Sequence, residues 1–171
     1  MNTKYIEVYS RFQDCYQALM GKGVLLAVKD KIGRTNIMTI GWATLGVIWY
    51  EPMFAVLVRP SRYTHELLDN SKYFSVNVPV NKLDNALSFC GSKSGRKIDK
   101  IKESGLNLLD GKTAGTVVVE DCDIFFECEI LNKNCVMKDS LDPAIVNKYY
   151  EDKSFHTVFY GKILKAYEKV K

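Results

Sequence analysis

The chain lacks the sequence patterns of several common protein classes. It contains neither G-x-G-x-x-G nor G-x-x-x-x-G-K-[ST], so neither familiar nucleotide-binding loop is present. It has two histidines and no C-x-x-C pair, which argues against a metal site. No nucleophile-elbow pattern indicates a serine hydrolase, and no apolar run approaches the length of a membrane span.

The composition is that of one globular domain. The 171 residues are 47% apolar and 26% charged, so the chain can bury a substantial core, and we expect a single domain over residues 1–171. The net charge of +4 is mild, and the basic residues form no run of the kind that binds nucleic acid. Residues 1–16 lack a signal-peptide pattern and the five cysteines are odd in number, so we expect reduced thiols and a cytoplasmic location.

The distribution of apolar residues predicts a mainly β fold. The predicted helices lie at connections and do not alternate regularly with strands, which favours a mostly antiparallel barrel with short helical insertions over a doubly wound parallel sheet. A break between two apolar segments is expected at Glu51 and Pro52. The predicted strands span residues 24–29, 36–41, 53–58, 73–78, 123–136 and 156–167, and the predicted helices span 62–70, 82–90, 96–104 and 143–151.

One predicted loop carries groups that can hold an anion. In the sequence Pro-Ser-Arg-Tyr-Thr at residues 60–64, we expect Ser61 to cap the following helix. Arg62 adds a fork-shaped donor and Thr64 adds a hydroxyl, and together these groups suit a phosphate. Taken alone, the segment is better explained by an ordinary capped helix with an exposed arginine.

A second predicted loop, Gly-Ser-Lys-Ser-Gly-Arg at residues 91–96, has the same character. Its glycines allow a close backbone approach to an anion, and Lys93, Ser94 and Arg96 supply two cations and a hydroxyl. A solvated turn is the alternative, because these residue types are common in turns. Two such loops in one small domain favour a phosphate site.

A third element could contact a planar ligand. Asn36, Thr39 and Gly41 lie on one predicted strand, whose amide, hydroxyl and main chain can bond the polar edge of a heterocycle. Taken alone, these residues are better explained by ordinary roles, with Asn36 capping a turn and Thr39 as a normal strand residue. His65 is expected to face solvent, whereas His156 fits a structural and a functional role equally well. Because the chain offers binding groups but few acids or bases, we expect a cofactor to perform the chemistry.

Four segments resemble a known family. They are NIMTIGW (36–42), LVRPSRYTHELL (57–68), FCGSKSGRKIDK (89–100) and HTVFYGKI (156–163). In them the chain resembles the flavin reductase-like family of FMN-binding split barrels, and especially its small flavoredoxin-like branch. The resemblance implies a six-stranded antiparallel Greek-key barrel and a homodimer with FMN near the subunit interface.

The resemblance also implies roles for particular residues. His156 corresponds to a histidine near the reactive face of the flavin and is the candidate catalytic residue. Phe155 stands where the family has an acidic residue, so the resemblance gives no support to proton transfer assisted by an aspartate. The implied FMN-binding residues are Asn36, Met38, Thr39 and Ile40 along the ring and ribityl chain, Ser61, Arg62 and Thr64 at the phosphate, and Lys93, Ser94 and Arg96 closing over the phosphate.

Three functions follow as hypotheses. The first is an FMN-binding oxidoreductase that acts as an NADH- or NADPH-dependent flavin reductase, with hydride transfer to the flavin N5. The second is a flavoredoxin-like electron carrier without nicotinamide activity, which exchanges electrons with a redox partner protein. The third is a cofactor-free β barrel that binds nucleic acid or protein, and it is disfavoured because the basic residues are scattered.

Overall fold

The computed structural model describes residues 1–80 and 83–170, and these form a mainly β fold with five short α-helices. Two 3-10 turns, Val8–Arg11 and Lys138–Ser140, complete the regular structure of these ranges. The strands are β1 (Thr3–Tyr5), β2 (Val24–Lys29), β3 (Thr35–Ile40), β4 (Ala43–Ile48), β5 (Glu51–Val58), β6 (Tyr73–Val78), β7 (Leu108–Asp110), β8 (Val117–Val119), β9 (Ile124–Cys135) and β10 (Thr157–Lys169). The helices are α1 (Phe12–Met20), α2 (Tyr63–Asp69), α3 (Asp84–Ser92), α4 (Lys100–Ser104) and α5 (Pro143–Tyr149).

The strands pair in one large antiparallel sheet. Its order is β3-β2-β6-β9-β10-β5-β4. The short strand β1 stands outside this order and pairs with β10. β7 and β8 form a separate hairpin. The predicted mainly β, antiparallel split-barrel class is confirmed, but the sheet has eight strands, two more than the resemblance implies. β10 is 13 residues long, which lets it pair with β1 as well as with β5 and β9.

The central strands are covered on both faces. β2 is buried at five of its six positions, as its uninterrupted apolar sequence predicts. On β3, Met38 and Ile40 pack into one core, around Phe54 and Phe126, whereas Ile37 packs into a second core on the other face. This alternation follows from the two-residue period of a strand.

The turn between β4 and β5 differs from the prediction. The chain reverses at Trp49 and Tyr50, whose φ angles are 56° and 59°, as in a two-residue hairpin with both turn residues at positive φ. The expected break at Glu51 and Pro52 is therefore wrong, because Pro52 lies within β5 and pairs with Val47. The missing N–H of Pro52 is tolerated because pairing between β5 and β10 begins at Met53.

Two helix boundaries also differ from the prediction. α2 begins at Tyr63, with Arg62 and not Ser61 in the N-cap position, and no side-chain bond caps it. The predicted helix at 96–104 is reduced to α4, which starts after Asp99, whose carboxylate accepts bonds from two backbone N–H groups of the first turn. The predicted start of α3 at Lys82 lies outside the described residues. None of the helices in residues 1–80 and 83–170 has the length and apolar character needed to cross a membrane.

Candidate functional site

The first cavity of the site lies where β3 meets the start of α2 and the end of α3. Its volume is about 280 Å³. The structure therefore places the two anion-binding loops predicted from the sequence side by side. Of the residues implied by the resemblance, this cavity is lined by Asn36 and Met38 from β3, by Ser61, Arg62 and Thr64 from the first loop, and by Lys93 and Ser94 from the second loop.

A buried hydrogen bond joins two of these elements. The Asn36 Nδ2 donates to Thr64 Oγ1 at 2.7 Å, and both residues are almost fully buried. The bond fixes the first turn of α2 against β3. It occupies one N–H of the Asn36 amide, a group that was expected to hydrogen-bond a ligand. It leaves the hydroxyl hydrogen of Thr64 available, so Thr64 can donate to a ligand in the cavity.

Arg96 does not line the first cavity, and the expectation that it closes over a phosphate stays a prediction. Its Nη1 donates to the backbone oxygen of Ser61 at 2.9 Å, and its Nη2 lies 3.4 Å from a carboxylate oxygen of Glu66. The guanidinium also lies 5.5 Å from the ring centroid of Tyr63. Arg96 therefore ties the second loop to the first and holds their separation.

Lys100 is a cavity residue that the sequence interpretation did not single out. It is only 4% exposed, and its Nζ donates to the backbone oxygens of Ile37 at 2.9 Å and Cys90 at 2.6 Å. Burial lowers the pKa of Lys100 to about 8; the positive charge of Arg62 adds to this effect and Cys90 opposes it. No carboxylate in the described ranges forms an ion pair with this ammonium, and one N–H remains for a ligand.

A second cavity adjoins the first and shares Met38 and Arg62 with it. Its volume is about 190 Å³, and its walls include Thr39, Ile40 and Trp42. The Thr39 hydroxyl donates to the backbone oxygen of Leu87 at 2.6 Å, so toward a ligand it can only accept a hydrogen bond. The residues that the resemblance assigns to the ring and ribityl chain thus follow β3 from the first cavity into the second.

His156 lines the second cavity and directly precedes β10. It is 8% exposed, its ring centroid lies 4.8 Å from that of Trp42, and its Nδ1 lies 2.9 Å from the Tyr150 hydroxyl. Burial lowers the pKa of His156 to about 4, and the charges of Arg59 and Arg62 act in the same direction. The imidazole is therefore neutral at pH 7 and can act as a hydrogen-bond donor or acceptor, but it is not a cationic acid.

The other histidine is not part of either cavity. The expectation that His65 faces solvent is wrong, because its side chain is only 14% exposed. Its Nε2 lies 2.8 Å from Thr157 Oγ1, and its Nδ1 lies 3.2 Å from a carboxylate oxygen of Asp69. In residues 1–80 and 83–170, no group of three histidine, cysteine, aspartate or glutamate side chains could hold a metal ion.

The chain is similar to known proteins over most of its length. The family model described as "Flavin reductase like domain" matches residues 18–170. An uncharacterized protein of Pyrococcus abyssi is 26% identical over 150 residues, which cover 87% of this chain and 75% of that protein.

Two solved structures share the fold. The flavoredoxin of Methanosarcina acetivorans has a TM-score of 0.66 and 27% identity, over 85% of this chain and 67% of that one. The FMN-binding domain of a flavin reductases-like enzyme from Shewanella baltica has a TM-score of 0.70 over 98% of this chain and 78% of that one. At 19% identity, the second likeness shows the fold alone.

Proposed function

The chain belongs to the flavin reductase-like domain family, and from this premise we propose that it is a single-domain, FMN-binding oxidoreductase. The observation that carries the proposal is the buried ammonium of Lys100 on the wall of the first cavity. A buried charge without a counter-charge is costly. A bound anion would remove this cost, and FMN carries a phosphate group that can enter beside Lys100.

The first cavity suits the phosphate. Arg62, Lys93 and Lys100 supply cations, while Ser61, Thr64 and Ser94 supply hydroxyls. Arg62 is exposed and its guanidinium makes no ion pair within the described ranges, so it is free to take a phosphate through two parallel bonds. Arg96 acts indirectly, by holding the backbone of Ser61 in place.

The second cavity suits the flavin ring. Met38, Thr39 and Ile40 would lie along the ring and ribityl chain, and Trp42 and His156 would lie at its other side. Bound FMN supplies the redox chemistry, since its ring accepts a hydride at N5 and releases electrons singly or in pairs. The residues of the chain bind and orient the ring, and neither cavity is lined by an aspartate or glutamate from the described residues.

A comparison of FMN with riboflavin tests this proposal, because riboflavin lacks only the phosphate. We expect FMN fluorescence to be quenched on titration with the protein, and FMN to bind at least tenfold more tightly than riboflavin. Lys97→Met should keep the wild-type preference for FMN, since Lys97 is an exposed lysine directly after the second loop and does not line either cavity. Equal affinities for the two flavins, or no binding of either, would contradict the proposal.

For the reaction, we propose an NADH- or NADPH-dependent flavin reductase that transfers hydride to the flavin N5. Absorbance at 340 nm measures this activity directly. FMN-dependent oxidation of NADH or NADPH is the expected result, and its absence with bound FMN would exclude the reductase.

The match to a flavoredoxin at 27% identity favours a second candidate, an electron carrier without nicotinamide activity. A carrier would retain FMN through gel filtration and cycle only with a redox partner protein. The homodimer and the cytoplasmic location stay predictions, and sedimentation velocity tests the dimer.

A further inference from the structure

The Tyr150 hydroxyl lies 2.9 Å from Nδ1 of His156, which lines the second cavity. Tyr150 is 4% exposed, and its hydroxyl contacts no other hydrogen-bonding group in residues 1–80 and 83–170. If Nδ1 carried the hydrogen, the phenol would accept it and its own O–H would be buried without an acceptor. Because such a group is costly, the phenol O–H donates to Nδ1.

The hydrogen of the neutral imidazole is therefore on Nε2. This nitrogen has no hydrogen-bond partner in the described part of the chain. The Nε2 atom is not fully enclosed, and His156 lines the second cavity. Nε2–H is thus a free donor at the wall of that cavity. The low pKa of His156 agrees with a neutral ring over the physiological range.

Tyr150 is itself held firmly. Its ring stacks on Phe155, with centroids 4.8 Å apart and an interplanar angle of 17°. Arg59, which follows β5, lies 5.5 Å from the Tyr150 ring centroid and donates to the backbone oxygen of Tyr149 at 2.7 Å. The same guanidinium contacts both carboxylate oxygens of Asp152, at 2.7 and 2.8 Å. The segment 149–155 is therefore fastened to the end of β5, and the phenol has little freedom to leave Nδ1.

We propose that Tyr150 is a positioning residue that holds His156 as the neutral tautomer with hydrogen on Nε2, and that this N–H donates to an acceptor atom of the bound flavin ring. The second half of the proposal rests on the proposed binding of FMN. The first half concerns the protein alone. Arg59, Arg62 and Asp152 are the charged groups that act on the imidazole, and none of them bonds to Nδ1 in place of the phenol.

Long-range ¹H–¹⁵N spectra of the imidazole nitrogens in the flavin-free protein test the tautomer. His65→Gln assigns the signals, because His65 is the only other histidine. We expect a non-protonated Nδ1 and a protonated Nε2 for His156, and averaged shifts from two tautomers in Tyr150→Phe. Tyr149→Phe is the matched control, since Tyr149 packs edge-on against Trp42 and its hydroxyl does not contact His156. A protonated Nδ1 in the wild type, or identical shifts in the wild type and Tyr150→Phe, would overturn the assignment.

The same spectra with saturating FMN test the hydrogen bond to the ring. We expect the Nε2–H proton signal of His156 to move downfield in the wild type. If Tyr150→Phe populates the two tautomers equally, the FMN dissociation constant should rise about twofold, because half of the molecules present the donor. FMN that binds without moving the Nε2–H signal would overturn the contact. Failure of FMN to bind at all would instead refute the proposed function and leave the tautomer result standing.

Discussion

Raising the pH from 7 to 9 is expected to weaken FMN binding about tenfold, through the ionisation of Lys100. In the free protein the pKa of this residue is about 8, because burial disfavours its ammonium form. A bound phosphate favours the ammonium and raises the pKa, so binding takes up a proton at pH values above 8. The charged fraction of Lys100 in the free protein falls from about nine-tenths at pH 7 to about one-tenth at pH 9, which sets the tenfold loss.

The assay is a fluorescence titration with FMN and riboflavin at half-unit steps between pH 7 and pH 9. The phosphate of FMN has its second pKa near 6 and stays doubly charged over this range. Riboflavin corrects for pH effects on the ring, because it lacks only the group that meets Lys100. We therefore expect the ratio of the riboflavin to the FMN dissociation constant to fall with pH in the wild type.

Two variants isolate the lysine. Lys100→Met keeps an unbranched apolar side chain, one heavy atom shorter, but removes the charge. We therefore expect FMN affinity to drop about tenfold or more at pH 7 and the ratio to become independent of pH. Lys97→Met should keep the wild-type profile, because Lys97 is exposed and outside both cavities. A flat ratio in the wild type, or a Lys100→Met variant that weakens both flavins equally, would refute the reasoning and leave Lys100 a structural residue.

Three further substitutions have defined outcomes. Arg62→Ala should lose about 1.5–3 kcal/mol of FMN binding, about 10- to 150-fold, and leave riboflavin binding unchanged in isothermal titration calorimetry; equal losses for both flavins would make Arg62 structural. Arg96→Ala should weaken FMN less than Arg62→Ala does, because this guanidinium supports the loop at Ser61; a larger loss would place it on the phosphate. Gly161→Ala should destabilise the fold by about 1–3 kcal/mol in urea unfolding, because its Cβ would overlap the ring of Phe74; an unchanged midpoint would contradict this.

Much of the fold and the proximity of the two loops could be predicted from local sequence. The alternation along β3 is a property of any strand, and it sends Met38 and Ile37 into different cores. The hairpin tip could not be predicted, because Trp49 and Tyr50 occupy positive-φ positions that asparagine and glycine usually take. Without that signal, Pro52 was the natural choice for the turn.

The contents of the cavities depend on tertiary structure that local patterns do not encode. Arg96 and Lys100 are both cations near the second loop, and composition cannot tell which of them turns inward. Lys100 enters the cavity because α4 begins only after Asp99, and because the backbone oxygens of Ile37 and Cys90 come together to receive its ammonium. Those two oxygens belong to segments 53 residues apart in the sequence, so no local pattern could predict the contact.

A crystal structure of the protein with FMN would test the central claim, that the two adjoining cavities hold one flavin nucleotide. We predict that the phosphate lies within hydrogen-bonding distance of both Arg62 and Lys100, and that the ring lies along β3 with His156 beside it. A phosphate that contacts neither of these cations, with the ring outside the second cavity, would contradict the account.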